Sequence, residues 1–252
     1  MIQGLYTAAN GMRAIEDRQD AIANNIANAS TVGYKSETPV QLGFYEVFSN
    51  SLRQPFHYNS DSAPAGGVKV VETFPDLAGG MLRTTDNPLH TALQGAGYFA
   101  VDTPRGERYT RSGDFTLDTE GRLVTAEGYP VQSTAGQPID ARGGRVNIDR
   151  EGRVRVDGQD AGQLRVIEFE NPERLQREGN NVYAASDDVK QKSAAAANTQ
   201  VQQSMLEMSN VNLPHEMIQL TLGMRAYEAN QRVVLAFNET MGRLIDQVGM
   251  PI

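Results

Sequence analysis

The stretch SNVNLPHEMIQLTLGMRAYEANQRVVLAFNETMGRLIDQV, residues 209–248, is the longest helical pattern in the chain. Asn212 suits a helix N-cap and Pro214 suits a first helical turn, so the pattern predicts a helix from Leu213 to Val248. At about 1.5 Å per residue such a helix is roughly 50 Å long. The core of one small domain does not require a helix of this length.

A heptad seam runs along this predicted helix. It consists of Met217, Leu220, Met224, Tyr227, Gln231, Val234, Asn238, Met241 and Ile245. The spacing predicts a coiled coil, and polar residues such as Gln231 and Asn238 can fix the register of the paired helices. A second apolar stripe lies beside the seam and contains Ile218, Leu222, Val233, Phe237 and Leu244. Two stripes on one helix predict packing partners on two sides.

A second long helical pattern occupies residues 1–33. Its seam is Leu5, Met12, Ile15, Gln19, Ile22 and Ile26, and Gly33 is the expected helix terminator. A multi-helix bundle within one chain would require more helices than these two patterns supply. We therefore expect the two helices to pair, and the second stripe to be covered by another copy of the protein or a close relative.

The chain between the two helices is β-rich. The sequence predicts an α+β fold in which long N- and C-terminal helices pair as a coiled coil and a β-rich domain of antiparallel hairpins is inserted between them. The expected segments are the N-terminal helix at 1–33, a connector at 34–75 with a mobile loop at 57–67, the β-rich outer domain at 76–190, a linker at 191–208 and the C-terminal helix at 209–252.

Several strands are predicted inside the β-rich domain. Residues 98–101 read as a buried strand whose hairpin mate is 108–111, and residues 166–169 read as a further strand. Residues 115–123 and 146–154 repeat one pattern, in which alternating apolar residues run into Asp-x-Glu-Gly-Arg. Gly121 and Gly152 are expected to supply the left-handed residue of each turn.

Composition excludes several classes of function. The net charge of −8, without a basic cluster, argues against nucleic-acid binding. The absence of cysteine removes thiol catalysis, zinc–thiolate sites and disulfides. No apolar run approaches the roughly 20 residues that span a membrane, and residues 1–20 lack the features of a secretory signal peptide.

The sequence predicts no catalytic residue, no cofactor and no metal site. His57, His90 and His215 lack the mutual spacing of metal ligands. Asp114 and Asp118 are the acid–base pair that merits consideration, but both lie beside predicted turns, where Asp stabilises turn geometry.

Three stretches together resemble a known family. They are residues 23–35, with Asn24, Asn25, Asn28 and Gly33; residues 92–115, with Gln94-Gly95 and Thr110-Arg111-Ser112-Gly113; and residues 209–230, with Asn210, Asn212, Arg225, Tyr227, Glu228 and Asn230. Their content and order resemble the signatures of bacterial flagellar rod and hook proteins.

The resemblance implies a structural, non-enzymatic subunit of the basal-body rod in the periplasm. It implies export by the flagellar type III apparatus without a cleavable signal, and assembly with copies of itself and other rod and hook proteins into a helical tube that transmits torque. Surrounding rings are a further candidate contact. The tight hairpin at 105–109 and the short path from 129 to 146 are more similar to the proximal-rod member, with the distal-rod member as the alternative.

Two functions of other classes are also compatible with the sequence. A soluble coiled-coil adaptor would form a discrete dimer through helices that are already folded. A secreted wall hydrolase would use Asp114 and Asp118 as its carboxylate pair.

Overall fold

A computed structural model describes residues 2–43, 68–185, 191–193 and 199–248. The fold is α+β, with one helix near each terminus and a β-rich middle. The predicted mobile loop at 57–67 and His57 lie outside the described residues. The chain divides into two compact units. Their described residues are 2–27, 37–43, 68–75 and 212–248 in the helical unit, and 28–36 together with 76–185, 191–193 and 199–211 in the β-rich unit.

The helical unit contains two α-helices and a two-stranded ribbon. Its elements are α1 (Ile2–Ala27), β1 (Glu37–Gly43), β2 (Val68–Pro75) and α2 (Leu213–Val248). The amide of His215 donates to Asn212 Oδ1 at 3.1 Å, which confirms the predicted N-cap. Strands β1 and β2 pair in antiparallel fashion, so part of the expected connector at 34–75 is regular structure.

Asn25, near the end of α1, fixes the start of β1. Its Nδ2 donates to the Glu37 carbonyl and its Oδ1 accepts the Glu37 amide, both at 2.9 Å. One side chain thereby satisfies both backbone groups of a residue where the chain changes from helix to strand.

The β-rich unit is built from short strands. They are β3 (Leu82–Thr84), β4 (Thr91–Gln94), β5 (Tyr98–Thr103), β6 (Gly106–Thr110), β7 (Phe115–Leu117), β8 (Leu123–Thr125), β9 (Val146–Ile148), β10 (Arg153–Val156), β11 (Gln159–Gln163), β12 (Val166–Phe169), β13 (Gln176–Arg177), β14 (Val182–Ala184), β15 (Gln191–Ser193), β16 (Gln200–Gln203) and β17 (Met205–Glu207). The predicted hairpin of 98–101 with 108–111 is confirmed as β5–β6, and the predicted strand at 166–169 is β12.

Within the described residues, six strands form the largest sheet of this unit. Their order is β13-β14-β6-β5-β12-β15, and the pairings between named strands are antiparallel. A three-stranded sheet β11-β10-β9 and the pairs β16-β4, β17-β3 and β7-β8 complete the described pairings.

The repeated Asp-x-Glu-Gly-Arg motif forms the same turn twice. Asp118 Oδ1 accepts the amides of Glu120 and Arg122 at 2.9 and 2.8 Å between β7 and β8. Asp149 Oδ1 accepts the corresponding two amides between β9 and β10, each at 2.9 Å. Gly121 and Gly152 have φ of 79° and 81°, which confirms the left-handed position predicted for them.

Strand β5 is buried on both faces, because one apolar cluster lies against each face. Phe99 and Val101 belong to a cluster that also contains Phe115, Leu123 and Leu164. The alternate residues of β5 belong to a second cluster, which consists of Tyr98, Ala100, Tyr109, Ile167, Phe169, Leu175 and Tyr183. The period of two along the strand therefore places successive side chains in different cores.

Residues 191–208 were predicted to be a linker, but part of this segment forms strands of the β-rich unit. It contains β15, β16 and β17, of which β16 pairs with β4 and β17 pairs with β3. These strands were not predicted because the segment is mostly polar and few of its side chains are apolar and buried. Val201 and Leu206 are two that are.

The predicted end of the first helix also requires correction. Helix α1 ends at Ala27, so Gly33 is not its immediate terminator. Gly33 has φ of 67°, and a Cβ atom at this position would lie 2.5 Å from the Ser112 amide nitrogen. Glycine is required here because the backbone of residues 111–112 passes too close for any side chain.

Candidate assembly surface and buried ion cluster

The side chains that the structure describes on α2 include a large apolar surface that the chain itself leaves exposed. Ile218, Leu222 and Leu235 are 58%, 52% and 60% exposed. The other large apolar side chains exposed on this helix are Leu213, Met217, Met224, Tyr227, Val233 and Met241. Exposed large apolar side chains in this number on one helix are typical of a protein interaction site.

Helices α1 and α2 lie antiparallel and contact each other within the helical unit. A Cβ atom on Gly11 would lie 3.5 Å from Asn230 Nδ2, and one on Gly223 would lie 3.2 Å from Gln19 Nε2. Arg18 Nη2 donates to Gln219 Oε1 at 2.7 Å. Residue numbers fall along α2 as they rise along α1, so the two helices run in opposite directions.

Two amide side chains pack over glycines at this contact. Gln19 comes from α1 and covers Gly223, whereas Asn230 comes from α2 and covers Gly11. Each glycine provides the space that the opposing amide fills. Gln19 was predicted as a seam residue, and it lies at the contact. Asn230 was noted only as part of the family motif, because a glycine and an asparagine carry no apolar signal.

The residues predicted for the two seams and for the second stripe differ in their exposure. Ile22 is buried, and Met12, Ile15, Gln19, Ile26, Leu220, Val234 and Phe237 are half-buried. Exposed side chains are Met217, Ile218, Leu222, Met224, Tyr227, Gln231, Val233, Asn238 and Met241. Side chains of Leu5, Leu244 and Ile245 lie outside the described set. The half-buried side of α2 thus includes Leu220, Gly223 and Asn230, whereas Gln231 and Asn238 are exposed to solvent.

Most asparagines of the family motif bond within the chain. Asn28 Oδ1 accepts the Thr31 hydroxyl at 3.2 Å, and Asn210 Oδ1 accepts the Ser36 amide at 2.8 Å. Asn25 and Asn212 make the contacts described above, and Asn24 is an exposed residue that also has an interaction. Asn28 and Asn212 bond to residues three positions away, whereas Asn25 and Asn210 bond to residues 12 and 174 positions away. Arg225, Tyr227 and Glu228 are exposed on α2.

A buried ion cluster of Lys35, Arg111 and Glu207 was not predicted. Lys35 Nζ lies 2.6 Å from Glu207 Oε1, and these side chains are only 1% and 2% exposed. Arg111 Nε lies 3.7 Å from Glu207 Oε2, and Arg111 Nη2 donates to the Gly95 carbonyl at 2.6 Å. One carboxylate therefore faces two cations in a region without solvent.

Burial alters the pKa of Lys35 and of the neighbouring Tyr98. Desolvation lowers the pKa of Lys35 below its usual value, although the hydrogen bond and charge of Glu207 act in the opposite direction. Burial also raises the pKa of Tyr98, whose ring lies 5.3 Å from the Arg111 guanidinium. No sequence pattern links Lys35 with Glu207, but Lys35 lies in the motif Gly33-Tyr34-Lys35 already noted.

The two aspartates considered for catalysis occupy structural positions. Asp118 bonds the turn of the β7–β8 hairpin, and Arg122 holds its pKa below the ordinary value, chiefly through its backbone amide. Asp114 pairs with His90 Nε2 at 3.0 Å, and His90 Nδ1 lies 3.0 Å from Thr85 Oγ1. Among the described residues no group of three or more candidate ligands surrounds a possible metal position, and no described helix is long and apolar enough to cross a membrane.

A β-rich unit with its own buried clusters, together with helices that expose large apolar side chains, is typical of a protein that binds other proteins. Comparison with known proteins agrees with this class. The sequence matches the family "Flagella basal body rod protein" over residues 5–35, "Flagellar hook protein FlgE/F/G D1 domain" over 92–156, and "Flagellar basal body rod FlgEFG protein C-terminal" over 202–247.

Whole proteins of this family align with nearly the entire chain. The chain is 31% identical to the flagellar hook-basal body complex protein FlhO of Bacillus subtilis, over 99% of both proteins. It is 31% identical to the flagellar basal-body rod protein FlgG of the same organism, over 98% of the chain and 99% of FlgG. It is 33% identical to FlgF of Mesorhizobium japonicum, over 90% of each. The chain belongs to the flagellar basal-body rod family, as a structural rod protein of the FlgG/FlgF type. The adaptor and the wall hydrolase are not favoured.

Proposed function

We propose that this chain polymerises through α1 and α2 into the helical tube of the rod and transmits torque across the periplasm. The observation that carries the proposal is the exposed apolar face of α2, with Ile218 and Leu222 more than half exposed. Burial of such side chains is worth about 1.5–3 kcal/mol each, so the same contact repeated along a tube strongly favours assembly.

The predicted coiled coil belongs to the same proposal. Leu220, Tyr227, Val234 and Met241 follow the heptad spacing on α2, and Gln19 lies at the contact between the helices. In the assembled tube the remaining seam residues, including Gln231 and Asn238, would contact neighbouring subunits and set their register.

The proposed partners are copies of this chain, other rod and hook proteins, and the flagellar type III export apparatus. The names of the relatives support a location in the basal body. Within the rod we propose the proximal position, on the basis of the tight turn at 105–109 and the short path from 129 to 146. The distal position is the alternative, and electron microscopy of basal bodies carrying a tagged copy distinguishes the two.

The main test replaces the exposed apolar face in a strain that lacks its own copy of the gene. Ile218→Asp combined with Leu222→Asp is expected to abolish swimming and to leave basal bodies without a complete rod. The purified variant should keep the stability of the wild type, because neither side chain is buried in the monomer. Arg232→Ser, another exposed position of α2, is the matched control and should support motility.

Two measurements make the result interpretable. The variant must be detected outside the cytoplasm at the wild-type level, which separates failed assembly from failed export. Normal swimming by the double variant would overturn the proposed use of this face.

A further inference from the structure

We propose that residues 33–36, 76–81 and 207–210 form a mechanical clasp, which carries tension between the two ends of the β-rich unit without loading its core. These segments lie just after α1 and just before α2 in the sequence, with 76–81 beside them. The clasp comprises backbone bonds, the Asn210 side chain and the buried pair of Lys35 and Glu207.

The first and last segments of the clasp run parallel. The Gly33 amide donates to the Glu207 carbonyl at 2.7 Å, and the Ser36 amide donates to Asn210 Oδ1 at 2.8 Å. The residue numbers rise together along both segments. Residue 33 is therefore at the same end of the clasp as residue 207, and residue 36 is at the same end as residue 210.

The middle segment bonds to both of the others. The Asp76 amide donates to the Ser36 carbonyl at 2.7 Å, and Asn210 Nδ2 donates to the Asp76 carbonyl at 2.9 Å. At the other end, the Met208 amide donates to the Met81 carbonyl at 2.9 Å. This segment runs antiparallel to the other two and connects them along their length.

The Lys35–Glu207 pair closes the clasp from inside. Lys35 Nζ donates to the Ala78 carbonyl at 2.7 Å as well as to Glu207, and Glu207 Oε1 also accepts the Gly80 amide at 2.9 Å. Each of the three segments thus contributes a partner to one buried ionic contact. A charged hydrogen bond without access to water is strong, and its loss leaves an uncompensated charge.

The parallel arrangement determines how the clasp responds to load. Tension that arrives along residue 28 pulls on the residue 33 end, whereas tension towards residue 212 pulls on the residue 210 end. Because these are opposite ends of a parallel pair, the bonds are loaded in shear and must break together. Pulling both segments from the same end would break the bonds one after another.

The chain between residues 36 and 207, which contains both apolar clusters, is bypassed as long as the clasp holds. The relevance of this property to torque rests on the proposed function. The mechanical property itself is independent of that function and can be measured on the purified chain.

The experiment holds single molecules of the full chain at constant force. The chain has no cysteine, so pairs of introduced cysteines provide unique attachment points. Ser30→Cys with Leu213→Cys loads the clasp in shear, and Thr38→Cys with Leu213→Cys peels it from the residue 36 end. All three positions are exposed. We expect a longer lifetime before the first opening in the shear arrangement.

Two variants in the shear arrangement test the named residues. Lys35→Met should shorten the lifetime on the order of a hundredfold, because Glu207 loses its closest cation. Asn210→Ala should shorten it about tenfold, because the Ser36 amide and Asp76 carbonyl lose their partner. Arg142→Met, which breaks only the exposed pair with Asp140, is the matched control and should have no effect.

Equal lifetimes in the two attachment arrangements would overturn the clasp, as would unchanged lifetimes in both variants. If Lys35→Met does not fold, the comparison of attachments in the otherwise unaltered chain still decides. If the Ile218→Asp, Leu222→Asp variant swims normally but the clasp still resists shear, the proposed assembly surface is rejected and the clasp is retained.

Discussion

The two units of this protein use their apolar side chains in opposite ways. In the β-rich unit Phe99, Val101 and Leu123 are completely buried between short strands. In the helical unit Met217, Ile218 and Leu222 are among the most exposed large apolar residues of the described chain. The described residues of the first unit bury their own apolar side chains, whereas those of the second unit leave large apolar side chains exposed on α2.

The ion pairs of the two units also differ in burial. Glu207 is buried between Lys35 and Arg111 in the β-rich unit, whereas Arg243 and Glu239 on α2 form a pair at 2.6 Å that is exposed to solvent. We therefore expect the β-rich unit to be folded before assembly and the helical unit to be stabilised further by its partners.

The largest expected effect concerns Glu207. Glu207→Gln should cost about 5 kcal/mol of unfolding free energy, because two buried cations lose their counter-charge, and Lys35→Met should cost about 3 kcal/mol. The matched control, Arg243→Ala, should cost less than about 0.5 kcal/mol. Urea unfolding followed by circular dichroism measures all three. A Glu207→Gln variant as stable as the control would show that the cluster is not a structural contact.

A comparison of apolar truncations gives the next largest effect. Phe99→Ala should destabilise the β-rich unit by about 4 kcal/mol through loss of packing and a residual cavity. Leu222→Ala should change the stability of the monomer by less than about 0.5 kcal/mol, because the side chain is already exposed. The same urea titration applies. A large loss for Leu222→Ala in the monomer would contradict the contrast between the units.

The contact between α1 and α2 should respond moderately to a filled glycine. Gly223→Leu forces Gln19 out of its position at a cost of about 2 kcal/mol, and the opening of α1 should become about thirtyfold more frequent. The rate of tryptic cleavage after Arg13 and Arg18 reports this opening. Adding Gln19→Ala should restore protection, whereas adding Asn230→Ala should not. Equal rescue by both would mean that Gln19 does not face Gly223.

The smallest effect is expected at the β7–β8 turn. The pKa of Asp118 is below its ordinary value of 3.8 because Arg122 and Glu120 amides bind the ionised carboxylate. Its contribution to stability is therefore present above pH 3.8 and is lost as the pH falls through the lower, folded-state pKa. Asp118→Asn should flatten this part of the acid limb of the stability curve and slightly lower the free energy of unfolding at neutral pH, where the ionised carboxylate contributes. An unchanged acid limb would argue against the carboxylate as the turn's acceptor.

The sequence predicts elements whose signals are local. The cap at Asn212, the hairpin of β5 with β6 and the repeated Asp-x-Glu-Gly-Arg turns each depend on residues a few positions apart. Strands β16 and β17 escaped prediction because their stability comes from pairing with β4 and β3, far away in the sequence. The helix contact was predicted only in part, because a periodicity count rewards apolar residues and overlooks Gly223 and Asn230.

The site was predicted unevenly for the same reason. The apolar stripe with Ile218 and Leu222 follows from spacing alone, and these two residues are exposed, whereas Phe237 of the same stripe is half-buried. Lys35 and Glu207 carry no local signal of their own. Their partnership exists only because the fold brings the two ends of the β-rich unit together.

We expect the contact between Lys35 and Glu207 to form late in folding. The two residues are 172 positions apart in the chain. Closing so long a loop has a high entropic cost, so contacts of this kind form late, after local hairpins such as β7–β8. During synthesis Lys35 stays hydrated and cannot pair with Glu207 until Glu207 has left the ribosome. A nascent chain that stalls before that point should hold folded hairpins but remain sensitive to proteases at both ends.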